Sequence, residues 1–455
     1  MRFVALALIP ITLPIFVALL KAHRDKRDLA LFAIGVLLFM VGSLQTDAAI
    51  VVWRLWQGYS RGIFISLIDT LSLALIITRV GPRAAIPYMG LMILYMLPAT
   101  FSLVFSAMPM ASAFVASQVL RVFIMFVAIA GEVRRPSAMR ALFAGVAAGL
   151  CVQGSYVAWQ KLSGVVQAKG TTDHQNILGM MVEMALIPLL ALVLEGEKRK
   201  LVYLGIVAGV IVVAGGGSRA TMGFTAVGVV LVILLSLIRN NTPRKMRVLG
   251  IAVMASLVVV PMSYATLRDR FGPSKVTFGS IEDQRPRFEQ AARSIAADYP
   301  FGTGANTYVL IANDQGYAQR AGVSWGGGNL AAPVHNSHLL MRAEMGWAGQ
   351  LVMLAVLLVP IVGGMRVAFT DRRSPMLGMG VASAVVATIT ALHCNYEYAW
   401  HLEIVQRIYF MNIAVLAACI MVARNAQAGQ ARKRRRRPVN AEPAPVSARH
   451  GPSQV

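Results

Sequence analysis

Cysteine is scarce in this chain, with three among 455 residues, and all three, Cys151, Cys394 and Cys419, fall inside apolar runs. They offer neither a disulfide framework nor a metal site. Zinc is further disfavoured because no HExxH pair and no Cys/His cluster supplies the third and fourth ligands. Charge is also sparse: 14% of residues are charged and 57% are apolar, at a mean hydropathy of +0.63. A soluble protein of this size has too little interior to hide that much apolar surface. Acidic residues are outnumbered, 20 against 43 basic, for a net charge of +23. No nucleic-acid recognition fold accompanies that charge, so it does not mark a DNA- or RNA-binding protein. No small-residue cleavage site precedes the first charged run, so no cleavable signal peptide is expected.

What the chain has instead is a series of apolar runs of roughly 17 to 22 residues, about the length that crosses a hydrocarbon core as a helix. They lie at 3–20, 29–45, 63–78, 86–104, 112–130, 139–159, 176–194, 201–217, 221–238, 248–266, 339–362, 376–394 and 404–423. A helix satisfies its own backbone in lipid, and the short alternating segments of a β-barrel are missing. The expected fold is an all-α polytopic membrane protein of 12 to 13 transmembrane helices. Two N-terminal stretches leave the count open: segment 3–20 can dip rather than span, and residues 47–62, with Trp53 and Trp56, suit a membrane interface.

Lys and Arg fall on alternate connections: "KAHRDKRD" from 21, Arg79 and Arg83, "RRPSAMR" from 134, "EKRK" from 197, "RNNTPRKMR" from 239, "RVAFTDRR" from 366 and the tail "ARKRRRR". These are the expected cytoplasmic turns. Connections 105–111 and 395–403 contain neither residue and face the other side, the periplasm of a bacterium. The basic turns also suit contact with anionic membrane lipids. Four regions follow: spans with short loops over 1–266, a large periplasmic loop over 267–338, C-terminal spans over 339–423, and a basic tail over 424–455 expected to be disordered.

Within the large loop, "RPRFEQAARSIAADYP" has Phe288, Ala291, Ala292, Ile295 and Tyr299 at helical spacing, with Pro286 near the first turn. Asn336 or Ser337 is a suitable N-cap for the next span, which places His335 and His338 at its N-terminal end. The helix dipole disfavours imidazolium there and attracts anions, so a neutral histidine can act as a general base beside a phosphate. The bland alternative is a polar rim. Arg219, in "AGGGSRATMG", lies at a span boundary on the side where the topology rule discourages positive charge. Arg285 and Arg287 open the loop helix, and a guanidinium grips a diphosphate through two donors at once. Snorkelling for Arg219, and ordinary surface charge for the loop pair, are the competing explanations.

Four stretches in order carry a family resemblance: "GTTDHQNILGMM" from 170, "GGGSRATMG" from 215, "RFEQAARSIAADYPFGTGANTY" from 287 and "VHNSHLLMRAEMGWAG" from 334. Together they resemble the O-antigen ligase and polymerase superfamily of membrane glycosyltransferases. The resemblance implies an inverting enzyme without metal or other cofactor, independent of ATP. It would transfer a glycan (O-antigen) from undecaprenyl diphosphate to a sugar hydroxyl of the lipid A-core oligosaccharide in lipopolysaccharide biosynthesis, at the periplasmic face of the bacterial inner membrane. It assigns the donor diphosphate to Arg219 and to Arg287 or Arg285, with His174 and Asn176 beside them, and the base to His335 or His338. No Asp-x-Asp pair lies in the large loop, so arginines take a cation's place at the leaving group. The family pattern has twelve spans with both termini cytoplasmic, and an aromatic four residues after its loop arginine that this chain lacks. A polymerase of lipid-linked repeats and a protein O-oligosaccharyltransferase share the motifs and differ in acceptor. A secondary transporter would instead use mid-membrane charges such as Asp69 and Glu183, with internal repeats that this chain does not show.

Overall fold

A computed structural model describes residues 2–45, 47–79, 85–271, 281–326 and 328–435. Arg83, residues 272–280 of the large loop and residues 436–455 of the tail lie outside these. The chain is 77% helical and polytopic in character. In chain order the helices are α1 (Arg2–Ala22), α2 (Arg27–Leu37), α3 (Leu67–Ile77), α4 (Met89–Phe105), α5 (Pro109–Glu132), α6 (Pro136–Leu162), α7 (Gln175–Leu194), α8 (Lys200–Gly216) and α9 (Arg219–Arg239). They continue as α10 (Pro243–Phe271), α11 (Ile281–Asp298), α12 (Tyr308–Asp314), α13 (Tyr317–Arg320), α14 (Ser337–Thr370), α15 (Pro375–His393) and α16 (Glu403–Arg435).

Each of the thirteen apolar runs holds a helix, but not each holds a span. Among the described residues eight helices are long and apolar enough to cross a membrane: α5, α6, α7, α9, α10, α14, α15 and α16. Four shorter apolar stretches, Leu8–Ala22, Leu67–Ile77, Met89–Phe105 and Lys200–Gly216, join them. The runs at 29–45 and 63–78 were expected to cross. Instead α2 and α3 have eleven residues each, at 1.5 Å per residue about half of a hydrocarbon core. The second run is cut short because its first residues are strand and because Ser66 and Asp69 form a reciprocal capping box that starts α3 late. The stretch at 47–62 enters a hairpin, β1 (Ala48–Val52) antiparallel to β2 (Gly62–Ile65), bulged between Ala49 and Val51.

The bundle is arranged around α7, every residue of which is buried. At the other extreme α10 has no buried residue in its apolar window and presents Met254, Leu257 and Val260 outward, as a lipid-facing helix does. Two of the basic residues assigned to loops are not solvated. Arg27 forks onto Glu132 at 2.6 and 2.9 Å, and Arg239 pairs with both oxygens of Glu195 at 3.0 Å while donating to the carbonyls of Ala368 and Asp371. Asp69 is likewise paired, with Arg121 at 2.7 Å and Arg407 at 3.1 Å. The first residues of the expected tail are helical: α16 continues through Arg435, because "RNAQAGQARKRR" consists mostly of strong helix formers.

Residues 281–336 cap one end of the bundle. The amphipathic helix is described from Ile281 and holds Pro286 near that end. It buries Phe288, Ala291, Ala292 and Ile295 against α12, α13 and the start of α14. Phe288 and Ile295 alone contribute roughly 3–6 kcal/mol. Glu344 of α14 locks this cap in place. Its carboxylate accepts from the Asn306 N–H at 2.8 Å, the Tyr308 N–H at 3.0 Å and the Tyr59 hydroxyl at 2.8 Å. The chain passes so close here that a Cβ on Gly302 would stand 2.3 Å from the Glu344 carbonyl, and Gly346, at φ 64° and ψ −161°, kinks α14 beneath it. Replacing Glu344 with alanine orphans two backbone donors and is expected to cost about 2–5 kcal/mol. Thermal unfolding of Glu344→Ala and Tyr59→Phe should show a large and a small loss respectively, and equal melting of all three proteins would contradict the lock.

Candidate functional site

Five segments converge at the capped end of the bundle. At the start of α7, His174 is the N-cap residue and its Nδ1 accepts from the Asn176 N–H at 3.2 Å. At the start of α9, Gly217 turns the chain at φ 63°, Ser218 caps the helix and Arg219 is its first residue. Arg285 comes from α11, and the connection after α15 brings Tyr396, Glu397 and Tyr398. His335 precedes α14, whose N-cap is Asn336, with Oδ1 accepting from the Leu339 N–H at 3.1 Å. Asn176, Arg219, Phe224, Arg285, Tyr396 and Glu397 line a cleft of about 480 Å³. The N-termini of α7 and α9 both open there, adding partial positive charge to two guanidiniums.

Glu397 joins these segments. Its Oε1 accepts from Asn176 Nδ2 at 2.5 Å and from an Arg285 guanidinium nitrogen at 3.1 Å, and its Oε2 stands 3.2 Å from His335 Nδ1. Its backbone carbonyl accepts from the Ser337 N–H at 3.1 Å and from Ser337 Oγ at 2.5 Å, so side chain and main chain both bind the start of α14. Burial works to raise the Glu397 carboxyl. The His335 hydrogen bond and the positive charge of Arg285 are among the causes that outweigh it and hold the group below its ordinary range.

The same contacts set the state of His335. With Nδ1 against a carboxylate, the proton belongs on Nδ1, which leaves the Nε2 lone pair to accept. The Tyr398 ring stands edge-on at 5.4 Å, and burial together with the charge of Glu397 pushes its hydroxyl up to about 12, so it stays un-ionised. His401 is pushed down to about 4 by burial, stays neutral and bonds the Ser337 carbonyl at 3.1 Å.

The residues singled out in sequence do not all meet. Arg219, Arg285 and Asn176 line the cleft, and His335 adjoins it through Glu397. Arg287 turns to the loop, donating to the Gly322 carbonyl at 2.6 Å and to Gln284 Oε1 at 3.3 Å, where it fastens residues 322–324. His335 and His338 do not share a helix face, because His335 lies ahead of the cap: His338 reaches the Ala391 carbonyl at 3.5 Å and its Nδ1 finds no partner among the described residues. His174 orients Asn176 and does not line the cleft. Sequence reasoning missed Glu397 and Tyr398. The available signal was "HCNYEYAWH", a polar connection with one acidic residue and no Lys or Arg. Among the described residues no group of three or more His, Cys, Asp or Glu is placed to hold a metal ion.

No protein-family model matches the chain, and no curated protein matches it.

Because Glu397 titrates lower folded than unfolded, its contribution to stability is complete above the unfolded carboxylate value, about pH 4.3. It fades as pH falls through the folded value. Wild type should therefore lose melting temperature on acidification from pH 6 towards 3 more steeply than Glu397→Gln, which at neutral pH should be less stable by on the order of 1–3 kcal/mol. Parallel melting curves across that range would show that the carboxylate is not held by its partners.

Proposed function

We propose that the chain is a membrane glycosyltransferase of the O-antigen ligase type. It would carry a glycan from undecaprenyl diphosphate to a sugar hydroxyl of lipid A core at the periplasmic face of the bacterial inner membrane. The observation that carries this reading is a cleft at the end of an apolar bundle, lined by Arg219, Arg285 and Glu397, with His335 held beside it by the same Glu397 carboxylate. Two arginines beside the N-termini of α7 and α9 suit a diphosphate, the apolar flank of Phe224 and Val227 suits the lipid that bears it, and His335 suits deprotonation of an alcohol.

In this scheme the acceptor oxygen attacks the anomeric carbon from the face opposite the diphosphate, and its proton passes to His335 Nε2. The bond from the anomeric carbon to the phosphate oxygen breaks, and the electron pair leaves on undecaprenyl diphosphate, whose charge Arg219, Arg285 and the two helix ends stabilise. Glu397 holds the Nδ1 proton and stabilises the imidazolium as it forms. Configuration inverts. The two guanidiniums take the place that a divalent cation has at other diphosphate leaving groups, which makes the reaction independent of added metal.

Arg219→Ala and Arg285→Ala should each reduce transfer by at least about a hundredfold at normal protein levels. Lysine should recover little at either position, because the two-donor grip is lost. Arg287→Ala should retain most activity, and the reverse ranking of Arg285 and Arg287 would overturn the assignment.

His335→Ala should still bind undecaprenyl diphosphate yet transfer nothing measurable, while His338→Ala keeps turnover. Reaction of purified lipid-linked donor with rough lipopolysaccharide should proceed in excess EDTA. Near-normal transfer by His335→Ala, or a strict need for Mg²⁺ or Mn²⁺, would sink the scheme.

A further inference from the structure

One buried titratable pair lies beneath the cleft and has no part in the scheme above. Glu183 of α7 and His393, the last residue of α15, have no exposed surface, and Glu183 Oε1 stands 2.8 Å from His393 Nδ1. Neither Glu183 Oε2 nor His393 Nε2 has a hydrogen-bond partner among the described residues. A lone carboxylate or a lone imidazolium at such depth is costly, so the two are tolerable together when they hold one proton between them and are neutral as a pair. Release of that proton leaves a negative charge without a counter-ion of its own.

The pair adjoins the cleft wall. The His393 ring is 5.1 Å from Phe224, which lines the cleft and lies 5.7 Å from Tyr396, another lining residue. Glu397 stands on the connection that leaves α15 directly after His393, and it and its partner Arg285 line the same cleft. The other titratable groups near it are His338 of α14, bonded to the Ala391 carbonyl, and the Cys394 thiol. From the remaining neighbours α9 contributes the uncharged Phe224, and α16 contributes Asn412, whose amide donates to the Met184 carbonyl.

We propose that Glu183 and His393 are positioning residues of the transfer site, a one-proton pair whose charge acts on Glu397 and Arg285 and keeps the cleft receptive to the anionic donor. This rests on the diphosphate-donor reading given above. While the pair holds its proton, the cleft keeps the excess positive charge of Arg219 and Arg285 over Glu397. Once the proton has left for bulk water, the negative charge behind Phe224 competes for Arg285 and repels the diphosphate. The KM for donor then rises with pH, whereas kcat, set by His335, changes less.

Glu183→Gln keeps a hydrogen-bonding group of the same shape and removes the charge. Full-length protein in nanodiscs should bind undecaprenyl diphosphate with an affinity that falls roughly tenfold between pH 6 and 10 in wild type and stays flat in Glu183→Gln. In transfer assays the same variant should lose the alkaline rise in donor KM. A second readout needs no donor: the pH-difference infrared signal of the Glu183 carboxyl, assigned by its loss in Glu183→Gln, should shift its midpoint in Glu397→Gln. Donor affinity that falls equally in wild type and Glu183→Gln overturns the proposal, as does a Glu183 midpoint indifferent to Glu397. A Glu183→Gln protein that melts early and loses kcat and KM together at every pH shows a structural pin, and overturns it too. If wild type binds no donor while the infrared coupling is present, the donor reading fails and the electrostatic link from Glu183 to Glu397 stands.

Discussion

A carboxylate taken out of water must be given hydrogen bonds and positive charge or it will not stay ionised. Glu397, 3% exposed, receives both from Asn176, Arg285 and His335, three residues on three different elements. The arrangement at the capped end of the bundle depends on that requirement. Losing any one partner leaves the others arranged around a poorly compensated charge, so the start of α7, the cap helix α11 and the approach to α14 are held in mutual register. Ser337 reinforces this by binding the main chain of the same connection.

The division of labour within the cap follows from sterics as well as charge. Glu344 binds the segment from Asn306 to Tyr308, and Gly302 and Gly346 let two backbones approach where a side chain would collide. With α11 fastened through its apolar face, Arg285 on its first turns points to Glu397 while Arg287, two residues on, points to Gly322. Two arginines that look equivalent in sequence thus have separate tasks, one beside the cleft and one on the loop.

Much of this was legible in the residues. Hydrophobic runs located every helix long and apolar enough to cross a membrane, the spacing of Phe288, Ala291, Ala292 and Ile295 gave the buried face of α11, and Asn336 is the cap that its side chain suits. The failures have physical causes. Segments 29–45 and 63–78 are apolar enough to cross, but hydropathy does not record the capping box at Ser66 and Asp69 that shortens α3, nor the pairing of β1 with β2. The residues after 424 lack the apolar content to fold on their own, but helix propensity carries α16 on to Arg435. Glu397 was missed because an acidic residue in a short connection has no periodicity. Its importance comes from partners 62, 112 and 221 residues away.

The most direct measurement is a structure of the full-length protein with undecaprenyl diphosphate bound in a lipid nanodisc. The diphosphate should lie between Arg219 and Arg285 at the mouths of α7 and α9, within hydrogen-bonding distance of both guanidiniums. The prenyl chain should run past Phe224 and Val227, and His335 should remain on Glu397 with Nε2 open to the acceptor side. A diphosphate seated on Arg287 and the 322–324 loop, or a His335 ring withdrawn from Glu397 in the bound state, would contradict it.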